Sequence, residues 1–196
     1  MNRIAKISAV FALFVSVLFT PGRAQAQLQL NLTGNHLSSV ESGSRFADGL
    51  WGGGATVRYF ISPKFAIGLN GRYFTRTQTD NLDGGAIIKS KANILIATGQ
   101  AEYFFTTSAL RPYAGVEAGF YRTTSTFDVV TPITNPRTDK LSTSNFGVAP
   151  KLGLQYAITP AFGLNVDAGY HFIFSSGYTS KSFLLGAGVF ATFGRP

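Results

Sequence analysis

From Phe162 to Phe174 apolar and polar positions alternate almost without fault. Phe162, Leu164, Val166, Ala168, Tyr170, Phe172 and Phe174 fall on one face; Gly163, Asn165, Asp167, Gly169, His171 and Ile173 fall on the other. Successive side chains of a strand point to opposite sides, so this stretch predicts a strand with an apolar face and a polar, glycine-bearing one. The pattern recurs in Gln27–Gly34, Leu50–Ser62, Phe65–Arg76, Lys91–Thr106, Arg111–Thr124, Ser144–Ile158 and Phe183–Phe193, each bounded by turn residues. The mature chain carries no helical period. The prediction is an all-β protein of eight strands.

The links between these segments alternate in length. Ser62-Pro63-Lys64, Thr107–Leu110 and Thr159-Pro160-Ala161 are tight, whereas 35–49, 77–90, 125–143 and 175–182 are longer and polar. Antiparallel strands joined this way place all short links at one end. The face carrying Leu30, Val57, Leu69, Leu95, Val116, Leu152 and Leu185 holds no charge between the strand ends. A charge at a bilayer midplane costs roughly 2–4 kcal/mol. Together these features predict an eight-stranded antiparallel up-and-down transmembrane β-barrel, apolar toward lipid and polar toward its lumen. A sandwich also has many short strands, but it does not call for this alternation of links.

The amino-terminal segment places the chain. Arg3 and Lys6 precede an apolar run from Ile7 to Phe19, broken by Pro21-Gly22 and followed by Ala24-Gln25-Ala26. The run is short of the roughly 20 residues a spanning helix needs, and the order reads as a cleaved signal peptide over residues 1–26. The barrel domain then covers 27–196. Charged residues are only 13% of the chain, well under the usual soluble share of about 25%, so much of the surface faces something other than water. There is no cysteine, which excludes thiol catalysis, disulfides and cysteine-held metals. The net charge of +8 includes Arg3, Lys6 and Arg23 of the leader. The remaining cations do not cluster, and no nucleic acid partner is expected of an exported protein.

Parity sorts the side chains further. Tyr59, Phe65, Phe105, Tyr156, Phe162 and Phe193 lie outward near the short links; Trp51, Tyr73, Phe120, Phe146, Phe172 and Phe183 lie outward near the long ones. They predict two aromatic girdles. Arg58, Arg72 and Lys151 point inward, as do Glu102, Glu117, Asp167 and His171. Three cations facing three carboxylates among small residues predict a polar network that fills the lumen, because a barrel of eight strands is just wide enough for side chains. The alternative is a path for ions or substrate. Ser175, His171 and Asp167 are spaced too far along one strand to form a triad, since two residues span roughly 7 Å. His36 is expected in the first long link, and the two histidines offer no metal-ligand spacing; no cofactor is implied. Gly52-Gly53-Gly54 has no following helix or lysine for phosphate binding, and predicts a bulge or close strand approach. Pro150 lies mid-strand with the alternation unchanged across it, so no one-residue bulge is predicted there.

The patterns RYFISPKFAIGLNGRYF, AEYFF…RPYAGVEAGFYR and PKLGLQYAITPAFGLNVDAGYHFIF span the mature chain. With the last strand, FLLGAGVFATF, they resemble the small outer-membrane β-barrel family of OmpA/OmpX type and its porin-family relatives. The resemblance implies a Gram-negative outer-membrane location with periplasmic termini, contact with membrane lipid and lipopolysaccharide, and delivery by periplasmic chaperones and the barrel-assembly machinery. It implies a non-enzymatic protein serving membrane integrity or surface interaction, or else a small porin or carrier for ions or small apolar molecules. The final aromatic, Phe193, is followed by Gly194-Arg195-Pro196 rather than ending the chain.

Overall fold

The computed structural model describes residues 27–40, 49–81, 87–130 and 137–194; the leader expected at 1–26 lies outside them. The strands are β1 (Gln27–Ser39), β2 (Leu50–Ser62), β3 (Phe65–Asn81), β4 (Ile87–Phe104), β5 (Leu110–Val130), β6 (Arg137–Ala157), β7 (Phe162–Ser175) and β8 (Tyr178–Phe193). Each pairs antiparallel with its neighbours in sequence, and β8 pairs with β1, so the sheet closes as a barrel without an edge in its wall. Closure suits this chain: a lipid-facing open edge would leave backbone groups without partners.

The register fixes the stagger. From Gln27 the row of paired residues runs through Phe60, Ala66, Glu102, Gly115, Lys151, Gly169 and Leu184 and returns to β1 at Leu37. One circuit therefore climbs ten residues, a shear that tilts the strands by roughly 40°.

Two short links repeat one device. In Ser62-Pro63-Lys64-Phe65 the Ser62 hydroxyl accepts the Phe65 N–H at 3.1 Å, and in Thr159-Pro160-Ala161-Phe162 the Thr159 hydroxyl accepts the Phe162 N–H at 3.0 Å. Proline at the second position presets φ, and the hydroxyl satisfies an amide that the turn would otherwise leave free.

The other ends depart from expectation. Seven strands run further toward the loop end than their apolar alternation: β1 to Ser39, β3 to Asn81, β4 from Ile87, β5 to Val130, β6 from Arg137, β7 to Ser175 and β8 from Tyr178. Apolar residues in these extensions, such as Leu37, Ile87, Ile88, Phe127 and Leu141, follow no regular alternation, so the pattern cannot signal them, while backbone pairing continues regardless. The link expected over 175–182 is a two-residue turn, Ser176-Gly177, flanked by the Ser175↔Tyr178 pair. Gly177 has φ +93°, the left-handed region that favours glycine. The short-long alternation thus fails at its last member. At the other end β4 stops at Phe104 and β6 at Ala157, two and one residues early.

Gly52–Gly54 pairs in unbroken register on both sides, so there is no bulge; the register shift of the β2–β3 pair lies at Phe60/Ser62. Close approach is the reason for glycine, since a Cβ on Gly52 would sit 2.2 Å from the Tyr73 carbonyl oxygen. Pro150 faces outward opposite Val116. The β6–β7 ladder omits Ala149 and Pro150 and resumes at Lys151↔Gly169 in the register it held at Val148↔Phe172. Proline carries no N–H, so a rung is lost without a change of phase.

Candidate functional site: the lumen and the rising sheet

Every lumen residue singled out from the sequence is buried: Arg58, Arg72, Glu102, Glu117, Lys151, Asp167 and His171. The structure joins five of them in a line. Arg58 clamps Glu102 with two hydrogen bonds, one of them 3.2 Å from Nη2 to Oε1. Lys151 Nζ lies 2.7 Å from Glu102 Oε1 and 3.0 Å from Glu117 Oε1. Arg72 clamps Glu117 at 2.7 and 3.0 Å. Two-point guanidinium–carboxylate geometry is the strong form of this contact, and it compensates charges that could not be buried singly.

Neutral groups extend the line. Arg58 Nη1 donates to Gln29 Oε1 at 3.2 Å, and Gln155 Nε2 donates to the same oxygen at 2.8 Å. Lys151 donates to Gln100 Oε1 at 3.1 Å. Tyr113 donates to Asn165 Oδ1 at 3.1 Å, and Asn165 Nδ2 donates to Asp167 Oδ2 at 3.0 Å. Asp167 joins this network through Asn165 and Tyr113, without an ion pair of its own. Among the described residues no cation lies within ion-pair distance of Asp167; its carboxylate is held instead by the Asn165 amide. Asp167 is flanked on both neighbouring strands by glycine, Gly153 and Gly186, so no long side chain reaches across to it.

His171 also acquires a partner that the sequence does not reveal. Its Nδ1 lies 2.7 Å from the Tyr121 hydroxyl, which reaches it from β5. His36 is on β1, not in a loop, and its ring stacks 4.7 Å from that of Trp51.

The largest omission from the sequence reading is apolar. Leu37, Leu50, Phe74, Ile94, Ile96, Tyr121 and Leu184 form a buried cluster at the loop end of the lumen, with Ile173 against it. Phe60, Ala66, Phe104 and Tyr113 form another at the turn end. Parity gives the same inward facing to all of these, so the signal was present: the inward face of β2 reads Leu50, Gly52, Gly54, Thr56, Arg58, Phe60. The lumen is therefore layered, apolar at each end and ion-paired between. A hollow of about 430 Å³ at the turn end is lined by Gln27, Phe60, Thr107, Arg111 and other residues of that end alone.

The outer wall carries the aromatics. Trp51, Tyr73, Phe120, Phe146, Phe174, Phe183, Phe65, Phe105, Tyr156, Phe162 and Phe193 are exposed, while Tyr59 and Phe172 are half-buried. On β2, β3, β6, β7 and β8 the two aromatic levels lie eight to ten residues apart. At about 3.3 Å per residue and a tilt near 40°, that is roughly 20–25 Å along the barrel axis.

Above the upper level the described residues no longer form a ring. The β2–β3 pairing ends at Gly52↔Phe74 and the β6–β7 pairing at Phe146↔Phe174. The β3–β4, β4–β5 and β5–β6 pairings continue to Asn81↔Ile87, Ile87↔Val130 and Val129↔Arg137. Four strands thus rise as an open sheet, roughly 20–30 Å along the strand direction. Lys91, Arg122 and Lys140 are exposed on its outer face, and Arg122 stands two residues beyond Phe120.

A closed ring of eight strands with an apolar outer wall and a packed polar lumen defines a membrane β-barrel. The model of the outer membrane protein β-barrel domain matches residues 8–189, and the chain belongs to that family. It is similar in structure to a major outer membrane protein of Thermus thermophilus, at 14% identity and TM-score 0.60, over 86% of this chain and 99% of that one. Ail, the attachment invasion locus protein of Yersinia pestis solved with the heparin analogue sucrose octasulfate, matches at 14% identity and TM-score 0.54, over 86% and 97%. Neisserial surface protein A matches at 20% identity and TM-score 0.53, over 88% and 99%. No curated protein gives a significant match to the sequence. Structural likeness at this level carries the fold alone, not an activity.

Proposed function

We propose that this barrel is a closed, non-enzymatic wall protein that acts at the cell surface rather than as a conduit. The carrying observation is the layered lumen: an ion-paired middle between two buried apolar clusters. Ions crossing it would have to displace Phe74, Ile96 and Leu184 at one end and Phe60 and Phe104 at the other. In this reading residues 1–26 are a leader removed on export, both termini of the barrel lie in the periplasm, and the rising β3–β6 sheet faces outward. The two aromatic levels sit at the membrane interfaces, since their spacing matches an apolar band about 25 Å tall. Lys91, Arg122 and Lys140 then stand at the height of the outer-leaflet headgroups, where lipopolysaccharide phosphates would accept their hydrogen bonds. Periplasmic chaperones and the assembly machinery would deliver the chain.

Planar-bilayer recording tests the closed reading. The expected result is no steady current from the wild type, nor from a Phe60→Ala/Phe104→Ala/Phe74→Ala triple variant, in which the ion-paired middle still fills the lumen. Steady open currents in the wild type would overturn it and leave the channel reading.

A further inference from the structure

We propose that the hollow at the turn end of the lumen binds a small organic anion, its carboxylate or phosphate head held by Arg111 and its apolar body by the walls beside it. Arg111 is the second residue of β5 and shares the inward face of that strand with Tyr113 and Glu117. It lines the hollow of about 430 Å³ together with Pro63, Thr107 and Ala157. Small-molecule sites occupy roughly 300–1,000 Å³, so the space suffices for such a guest.

Charge sets Arg111 apart. Deeper in the lumen Arg58, Arg72 and Lys151 stand against Glu102, Glu117 and Asp167, and that set balances without it. The segments that close the turn end, 60–66, 104–113 and 156–163, contain Lys64 and Arg111 and no aspartate or glutamate. The guanidinium of Arg111 sits over the rings of Phe60 and Phe104, its Cζ 5.9 Å from each centroid. Among the described residues no oxygen accepts a hydrogen bond from it, and its Nε is buried without a partner. The group has therefore lost part of its hydration without gaining an acceptor, a cost that a bound oxyanion would remove.

The surroundings select the guest. A guanidinium presents its N–H groups as a planar fork that matches two oxygens of a carboxylate or phosphate. Stacking on two rings holds that fork at the hollow. Pro63, Ala157, Ile158 and Pro160 add apolar surface to the same wall, which an inorganic ion would leave uncovered. An oxyanion with a compact apolar body uses both halves. In the orientation proposed above this end faces the periplasm, but binding depends neither on that orientation nor on whether the lumen conducts.

Benzoate, phenyl phosphate and the neutral isostere benzamide are the probes. Titrated into the isotopically labelled barrel in lipid nanodiscs and followed by NMR, benzoate or phenyl phosphate should move the backbone amides of Thr107, Ser108, Ala157 and Ile158 saturably, in the millimolar range expected of so small a ligand. Benzamide should leave them unmoved over the same range. Arg111→Gln should weaken binding about ten- to hundredfold, as the loss of hydrogen bonds to a charged group does. Ala157→Leu, which narrows the hollow and keeps the guanidinium, should weaken it as well. If Arg111→Gln does not fold, Ala157→Leu and the benzamide comparison still decide. Equal shifts with benzamide, undiminished binding in either variant, or no saturable shift with either anion would overturn the proposal.

Discussion

The two sides of the lumen solve the same problem in opposite ways. The side built by β2 to β6 fills its space with long charged groups: Arg58, Arg72, Glu102, Glu117 and Lys151 form one unbroken line of ion pairs. The side built by β7, β8 and β1 is lined by Gly169, Gly186 and Gly188 and by short amides, and three amide atoms there lack partners, as do Asn70 Oδ1, Arg72 Nε and Gln100 Nε2 on the charged side. Both side-chain atoms of Asn31 and the Oδ1 of Asn35 are buried and unbonded. A barrel of this size accommodates such a line of long side chains because glycine stands beside them on the neighbouring strands. The Tyr113 ring lies where a Cβ on Gly153 would be, and the Tyr121 ring lies against Gly147. Glycine makes room for long side chains within the charged side itself: Gly54 lies against Arg72 and Gly115 against Glu102.

The comparison breaks most sharply at Glu117, which holds both Arg72 and Lys151. Glu117→Ala leaves two buried cations facing each other across a vacated site. Removing one partner of a buried pair costs about 3–5 kcal/mol, so urea unfolding in lipid vesicles should fall by at least that much. Arg72→Ala should cost less, because Glu117 keeps Lys151 and the Thr98 hydroxyl at 3.3 Å. Equal losses in the two variants would mean that the line is not shared through Glu117.

The next test adds a methyl group on each side. Gly153→Ala places a Cβ 2.2 Å from Tyr113 Cζ, and that ring is held by Arg58 and Asn165. Overpacking against a fixed neighbour costs about 1–3 kcal/mol. Gly186→Ala meets the Asn35 and Asp167 side-chain oxygens at 2.8 Å, a milder overlap, and should cost less in the same unfolding assay. A larger loss at Gly186 would reverse the assignment of the crowded and the open side.

How much of this was legible in the sequence follows from what alternation can carry. Parity placed Arg58, Glu102, Glu117, Lys151 and Asp167 on one face because lipid permits only apolar residues on the other. The same rule would have placed Phe60, Phe74, Ile96, Phe104 and Leu184 inward, but apolar residues in a strand attract the lipid-facing reading first. Parity is silent where apolar residues are sparse, which hid the extensions 77–81 and 137–143 of the rising sheet. Pairing within the lumen was out of reach for another reason. Lys151 reaches Glu102 from β6 to β4, a contact set by shear and side-chain length rather than by any spacing along the chain. Asp167 shows what counting charges misses without that geometry: the count balanced, yet the carboxylate lies outside the line.

The smallest effect separates the two sides most cleanly. Asn31 is 1% exposed on the glycine side, and neither amide atom has a partner. A buried polar group without hydrogen bonds loses its hydration for nothing, whereas an apolar group of the same shape loses none. Asn31→Leu should therefore leave stability unchanged or raise it by about 1 kcal/mol in urea unfolding. The matching change on the other side, Gln100→Leu, removes an acceptor of the Lys151 ammonium at 3.1 Å and should cost about 1–3 kcal/mol. A loss at Asn31 as large as that at Gln100 would mean that its amide is hydrogen-bonded in solution, and that the glycine-lined side is knit as tightly as the charged one.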